Sequence, residues 1–456
     1  MIQHIKKLFK ERTGIIAIAI CSIIALSIIN NSNFWRKQNV IIHDITFYYS
    51  YLPATFIYDD VTLVNPNEKF NKYQDKRFYI NRLENGNYLI KTSMGMSILY
   101  SPFFFIAHVC AKVFDQPQSG FSAPYNLLLQ LSSVFYVMLG LAFLRKLLLE
   151  YFSEKTIFFT IIGIYVCTNL MYYNTLEAPM SHAYSFSLFC IFLYYIHEWY
   201  KSGPTLKLAI IIGVLIGIIS LVRPTNILIA LLFPLYGVLN VIDLKNRLTL
   251  FFSTKIGLTL IIISLVVIVW IPQFLYWKYV TGHFFYFSYG NERFFWNDPK
   301  IIEGLFGYKK GLFVYTPIMF IAMFGFLFFK HLKSWKWGLI VYLPLNVYVV
   351  FCWWCWWYGG GYGARALVES YAVLSLPLAA LIHRILKLKS IRYLFAPVFM
   401  FLIFLSSFQT AQKKWNNIHY DSMTKEAYWF IFLKAKSPPK KFLEKPNHNN
   451  ALNGIR

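Results

Sequence analysis

The feature that most constrains this chain is a succession of apolar runs, several of them about 17–22 residues long, enough for a helix to cross the hydrocarbon of a bilayer. The first reads "TGIIAIAICSIIALSIIN". Similar runs lie near 125–144, 157–174, 180–197, 207–222, 225–241, 256–275, 312–329, 337–356, 364–382 and 393–408. With 57% hydrophobic and only 14% charged residues over 456 positions, the chain holds more apolar surface than one soluble core can bury. The fold class is therefore an all-α polytopic integral membrane protein, multi-pass in a cell membrane.

"MIQHIKKLFKER" precedes the first run, and no small-residue cleavage site follows it. It reads as a retained first helix with its basic flank, 1–14, in the cytoplasm. A further apolar run, 94–112 ("MGMSILYSPFFFIAHVCAK"), decides the side of everything after it. If it crosses, the basic loops "LRKLLLEYFSEK", "DLKNR", "KHLKSWK" and "HRILKLKSIR" all fall outside, against the positive-inside bias. If it lies in the outer interface, helped by Gly95 and Pro102, those loops fall inside. We take the second topology, with about eleven spans by hydropathy and loop charge and with interfacial helices in the first outer loop.

On that topology a membrane domain, 15–408, carries outer loops at 32–124 and 276–311, followed by a basic tail, 409–456. "SPPKKFLEKPNHNN" in the tail reads as a flexible end. The net charge of +24 fits cytoplasmic loops facing anionic lipid, and no compact basic domain suggests nucleic acid. The six cysteines all lie in apolar segments and read as inert thiols; redox chemistry at the C-x-x-C of Cys352 and Cys355 lacks its usual soluble setting.

The ionisable residues that interest us sit at the outer boundary. Asp44 opens "DITFYYSYLPATF", in which helical spacing puts Asp44, Tyr48 and Tyr51 on one face and Pro53 ends or kinks the helix. A carboxylate on a short interfacial helix suits a general base; a solvated helix cap is the alternative. Asp59 and Asp60 could take a divalent cation but have no further carboxylate at useful spacing, so loop charge is the simpler reading and no metal ligand is assigned. Lys91 suits a lipid phosphate or a snorkelling anchor. Glu177 and His182 sit in the short turn "NTLEAPMSHAYSF", as functional groups or as a structural pair. Arg223 ends a run in "SLVRPTN", and Lys309 and Lys310 open another in "GYKKGLFVYTP". "WWYGGGYGARALVESY" sets four glycines and Tyr362 beside Arg365, an arginine at a helix start where the dipole opposes it. It suits a phosphate there, unless it only pairs with Glu369 one turn on.

Cations for a lipid-linked phosphate, aromatics for sugar faces and a carboxylate for an acceptor hydroxyl together describe glycosyl transfer from a polyprenyl-phosphate donor. At this point the sequence resembles the GT-C superfamily of membrane glycosyltransferases, in the branch of the protein O-mannosyltransferases and lipid A aminoarabinose transferases. "HDITFYYSYLPA" matches in placement an Asp that follows the first span, with Ile45 where that family often has Glu. "IKTSMGMSILYSPF" matches a Lys that opens an interfacial helix, with Thr-Ser in place of prolines. "GARALVESYAVLSLP" matches a late Arg-containing helix start followed by Pro377, with Ala366 in place of Tyr. "SHAYSF", "RPTN" and "GLF" are similar to a bacterial subgroup, from which no substrate carries over.

The resemblance implies inverting transfer at the outer face, in a bacterial inner membrane. Asp44 would be the base. Lys91 and Arg365 would hold the donor phosphate; the residue patterns themselves add Arg223, Lys309 and Lys310 as further phosphate contacts and Tyr48, Tyr51, Glu177, His182 and Tyr362 as substrate contacts. The donor would be a polyprenyl-phosphate-linked sugar, with no firm cofactor and metal need open, and the acceptor a glycan, lipid or protein. A polysaccharide polymerase or ligase would share donor and face. A lipid or solute transporter would keep its ionisable groups near the midplane, where this chain has almost none, and a purely structural protein would not need charges in such short turns.

Overall fold

The computed structural model describes residues 12–63 and 81–456. Most of the basic N-terminal flank therefore lies outside the described residues. The principal helices are α1 (Thr13–Ser32), α2 (Asp44–Phe56), α3 (Gly95–Val113), α4 (Ala123–Leu149), α5 (Glu154–Val166), α6 (Ser181–Ser202), α7 (Leu206–Val222), α8 (Ile256–Thr281), α9 (Lys336–Cys352), α10 (Tyr371–Lys387) and α11 (Lys389–Lys414). Between α2 and α3 lies an antiparallel ladder of two-residue strands, Asn81–Arg82 with Tyr88–Leu89.

Among the described residues, seven helical stretches are long and apolar enough to cross a membrane: α1, α3, α4, α8, Pro317–Cys352, Arg365–Lys387 and Ser390–Lys414. The architecture is that of an all-α membrane protein, but the eleven expected spans are not matched one for one. Several expected runs are broken. α5 stops at Val166 and helix resumes only at Leu170–Thr175. The run after Arg223 folds as a 3-10 turn, Pro224–Leu231, with a four-residue helix behind it. Phe328 and Leu332 leave helical geometry inside Phe324–Trp335. Hydropathy registers apolar composition and is blind to such interruptions.

The helices approach closely where side chains are small. A Cβ on Gly140 of α4 would fall 2.6 Å from the Ser187 backbone of α6, and one on Gly217 of α7 would fall 2.8 Å from Val269 of α8. α10 lies at the centre, with 94% of its apolar stretch buried, whereas α8 has only 11% buried and shows its apolar residues outward.

α3 begins against the end of α7, where Gly95 touches Leu221 and Val222. Its middle packs on α2 through Phe104 against Tyr49, and its last turns meet the start of α4, with His108 Nδ1 2.6 Å from the Tyr125 hydroxyl. Its first half lies along the middle of α4, where Tyr136 donates to the Leu99 carbonyl at 3.0 Å, and its second half approaches the end of the bundle that carries α2. The same end gathers the loop 282–311, the glycine-rich segment before Arg365 and the chain after α11. That tail is docked rather than loose. Lys425–Ile431 is helical, Tyr428 packs edge-on to Tyr315 at 5.6 Å, and the Arg456 guanidinium donates to the Cys352 and Trp353 carbonyls at 3.1 and 2.9 Å. The flexible end expected from "SPPKKFLEK" is corrected accordingly: Lys440–Phe442 forms a short 3-10 turn, and the Thr424 hydroxyl donates to the Phe442 carbonyl at 2.6 Å.

Candidate active site

α2 starts abruptly because His43 takes a left-handed turn, φ 52°, and no side chain caps the helix. Asp44 instead turns toward Arg365, whose Nη2 lies 2.9 Å from Asp44 Oδ2. Arg365 opens the 3-10 turn Arg365–Ser370, which leads into α10. The two partners differ in exposure: the arginine side chain is 16% exposed and the carboxylate 43%. Arg365 Nε is buried with no hydrogen-bond partner. A guanidinium that grips a carboxylate through one edge and keeps a spare N–H fits an anion bound beside that carboxylate.

The glycines ahead of Arg365 answer a space requirement. A Cβ on Gly361 would lie 2.6 Å from the Tyr173 hydroxyl and 2.7 Å from Arg365 Cδ, and Gly363 takes φ +59°. Tyr173 donates to the Tyr362 carbonyl at 3.0 Å, and Asn169 Nδ2 reaches the same oxygen at 2.8 Å. The Tyr362 ring is fully buried between Tyr172 and Tyr315, so it supports the glycine segment rather than lining open space.

Glu369 lies one turn beyond Arg365 and does not pair with it. Its Oε2 is 3.2 Å from His182 Nδ1, and its Oε1 is 3.6 Å from Arg223 Nε. The helical pairing of Arg365 with Glu369 weighed from spacing is therefore replaced by two long-range pairs. Glu177 and His182 do not pair either: Tyr172 donates to Glu177 Oε1 at 2.8 Å, while His182 is buried. Ser181, beside His182, donates to the Tyr48 hydroxyl at 3.2 Å. Asp44, Arg223 and Arg365 all act on the Tyr48 phenol electrostatically.

Lys91 is close by but occupied. Its Nζ lies 2.5 Å from Glu292 Oε1 and 5.0 Å from the centre of the Tyr289 ring. Tyr289 is within electrostatic reach of Tyr48, Arg223, Glu292 and Asp44, and burial pushes its phenol up. Lys91 therefore belongs to the neighbourhood of Asp44. Glu292 and Tyr289 were not legible as site residues: "SYGNERFF" sits in a polar stretch where charge is ordinary, and nothing local marks its partner 201 positions away.

The other candidates serve the scaffold more visibly. Tyr51 donates to the Thr92 carbonyl at 2.7 Å and meets Tyr276 edge-on at 4.8 Å. Lys310 is buried and donates to the Gly361 and Tyr420 carbonyls, which ties the tail to the glycine segment. Burial pulls its ammonium well below the ordinary lysine range. Lys309 lies over the Trp357 ring at 5.1 Å, and burial lowers it too. Asp60 closes its own turn, accepting from Thr62 N, Thr62 Oγ1 and Leu63 N at 3.1, 2.7 and 2.9 Å. Cys352 and Cys355 are buried free thiols. Among the described residues, no three His, Cys, Asp or Glu side chains converge as metal ligands.

No protein-family model matches the sequence, and no curated protein matches it. Solved structures do. The Archaeoglobus fulgidus oligosaccharyltransferase in its apo form matches at 13% identity and TM-score 0.50, over 95% of this chain and 61% of that one. The fold is similar to that of this oligosaccharyltransferase. The archaeal oligosaccharyltransferase AglB from Archaeoglobus fulgidus, in complex with an inhibitory peptide and a dolichol-phosphate, matches at 13% identity and TM-score 0.49, over 96% and 61%. This chain spans about three fifths of the length of those chains, 61% in each case. At such identity the likeness is one of fold.

Proposed function

We propose that this protein is a membrane glycosyltransferase that moves a sugar, with inversion, from a polyprenyl-phosphate-linked donor to an acceptor hydroxyl. The observation that carries this reading is the Asp44–Arg365 pair: a part-exposed carboxylate held by a buried guanidinium that keeps an unpartnered N–H. Asp44 takes the proton from the acceptor hydroxyl as its oxygen bonds to the anomeric carbon. The bond from that carbon to the phosphate oxygen breaks, and its electron pair leaves with the polyprenyl phosphate. Arg365 and Arg223, with Lys91 nearby, stabilise the charge that develops on the phosphate. The GT-C type of fold supports the reaction class.

In this reading α2 and α3 lie at headgroup depth on the outer face. α3 shows Phe105, Ile106, Val109 and Val113 to the outside, an apolar side suited to lipid. The loops at the opposite end, at 144–155, 243–247, 330–336 and 383–392, are rich in Lys and Arg and suit the cytoplasm. A second reading, transfer of a preassembled glycan, is favoured by the fold match to an oligosaccharyltransferase.

The test is mass spectrometry of polyprenyl-linked sugars in host cells lacking the protein and complemented with wild type or Asp44→Asn. One polyprenyl-linked species should accumulate in the null strain and in the variant and be cleared by wild type. Its mass separates a single sugar from a preassembled glycan. An identical lipid-linked pool in all three strains would remove the donor from the proposal.

A further inference from the structure

Behind the Asp44–Arg365 pair, three ionisable side chains meet out of solvent. The His182 and Glu369 side chains are 1% and 2% exposed, and that of Arg223 is 17% exposed. Arg223 Nη1 lies 3.2 Å from each ring nitrogen of His182, and its guanidinium carbon lies 5.9 Å from the centre of the Tyr358 ring. Burying such a trio is costly, and apolar side chains of similar volume commonly hold helices together as well or better. Packing alone does not account for it.

The cluster joins segments that each deliver a group to the site. Ser181, next to His182, holds the Tyr48 hydroxyl. Arg223 ends α7 and acts electrostatically on Tyr48 and Tyr289. Glu369 lies on the turn that presents Arg365. Arg223 and Arg365 feel each other's charge. Each guanidinium has a carboxylate beside it. Glu369 supplies one for Arg223, and Asp44 supplies one for Arg365. With Glu369 Oε1 in ion-pair contact 3.6 Å from Nε and His182 Nε2 3.2 Å from Nη1, the Arg223 guanidinium is restricted in orientation, which its flexible stem alone would not ensure.

We propose that Glu369 and His182 are positioning residues that hold Arg223 as the second guanidinium of a phosphate-binding pair with Arg365. The inference rests on the glycosyl-transfer reading and goes beyond it by naming which buried groups set the phosphate grip. Neither Glu369 nor His182 touches the substrate; both act through Arg223.

The experiment uses the full chain in lipid nanodiscs, with polyprenyl phosphate as probe and polyprenol as its uncharged control. Wild type should bind the phosphate lipid more tightly than polyprenol. Glu369→Gln and Arg223→Gln should each weaken the phosphate lipid about tenfold, the scale of one charge-assisted contact, and leave polyprenol unchanged. Because Glu369 acts through Arg223, the double variant should lose no more than the larger single loss. A merely structural role would instead lower thermal stability and weaken both lipids alike.

The proposal is overturned if Glu369→Gln binds like wild type, if the two losses multiply, or if polyprenol binding falls in step. Should Glu369→Gln not yield folded protein, Glu369→Asp and His182→Asn carry the same comparison: a loss confined to the phosphate lipid supports the proposal, and equal losses on both lipids sink it. Wild type that shows no preference for the phosphate lipid overturns the glycosyl-transfer reading and this inference with it. That pattern is distinct from a wild-type preference that the variants leave intact.

Discussion

At the end of the bundle that carries Asp44, ion pairs join residues far apart in the chain. Asp44 meets Arg365, Glu369 meets His182 and Arg223, and Lys91 meets Glu292. At the opposite end the partners are nearer in sequence or wetter. Arg145 pairs with Glu154, nine positions on, and Glu154 also accepts from the Gly14 backbone N–H at 2.7 Å. Glu150 meets Lys201, whose side chain is 50% exposed. The buried joint there is mostly uncharged: the Tyr151 hydroxyl lies 3.0 Å from His197 Nδ1 and 3.2 Å from the Tyr236 hydroxyl, and it accepts from Trp335 Nε1 at 3.2 Å. Helices can evidently be stapled in this protein with hydroxyls, an indole and wet salt bridges. Buried charges paired over long separations are a harder solution, and among the described residues their confinement to one end marks that end as the place where charge has work to do.

The comparison breaks most sharply at Asp44. Asp44→Asn keeps the side-chain shape and removes the base, so transfer should fall by about 10²–10⁴-fold, the usual worth of a positioned general base. Folded yield should be kept, with a melting temperature lowered modestly because Arg365 loses the carboxylate beside it. Turnover of the polyprenyl-linked species by purified protein is the measurement, and full activity would remove Asp44 from the mechanism. Arg365→Gln should follow, with a loss of about 10²–10³-fold, in the range of a removed transition-state donor. Unlike Asp44→Asn, it should also raise KM for the donor, because Arg365 grips the phosphate before the chemistry begins. A variant with unchanged KM would confine Arg365 to holding Asp44.

Much of this end was legible in the sequence. Asp44, Lys91, Arg223 and Arg365 stood out because ionisable residues at the edges of apolar runs are rare, and the fold brings all four into one neighbourhood. What one sequence does not carry is partnership. "ARALVES" offers Arg365 and Glu369 to each other at helical spacing, yet the segment folds as a 3-10 turn and each finds its partner elsewhere. His182 looked like a group available to substrate, and only the packing of α6 against that turn reveals that it is buried. The docked tail was missed because Pro- and Lys-rich composition resembles that of a loose end, while the contacts that hold it come from Tyr428 and Arg456 meeting loops distant in sequence.

Lys310 sharpens the comparison through pH. Its ammonium is buried at the site end with carbonyl partners, and burial, reinforced by the nearby Lys413 charge, holds it well below 10.5. Between that depressed value and the ordinary lysine value, the unfolded chain binds more protons than the native state, so stability rises with pH across the window. Below the folded value the cost of burying the charge is present in full, and it is relieved as pH climbs through it. The melting temperature of wild type should therefore gain on that of Lys310→Met as pH rises toward the ordinary lysine value of about 10.4. Parallel curves would show that Lys310 holds its proton equally in the native and the unfolded protein, and so is not depressed by burial.

The smallest expected effect lies at the opposite end. Glu150 is one-third exposed and faces Lys201 and His197. Its carboxyl is held below the usual range chiefly by the hydrogen bond from Lys201. Because the pair is wet, Glu150→Gln should shift the melting temperature by no more than about 2 °C and leave turnover within about twofold of wild type. What little stability the carboxylate adds is present above its unfolded value and disappears as pH falls through the folded one, so any difference between wild type and variant should vanish in acid. The comparison fails if Glu150→Gln instead abolishes transfer while the protein stays folded. Charge at the far end would then be part of the machinery, and the division between a working end and a stapled end would have to be given up.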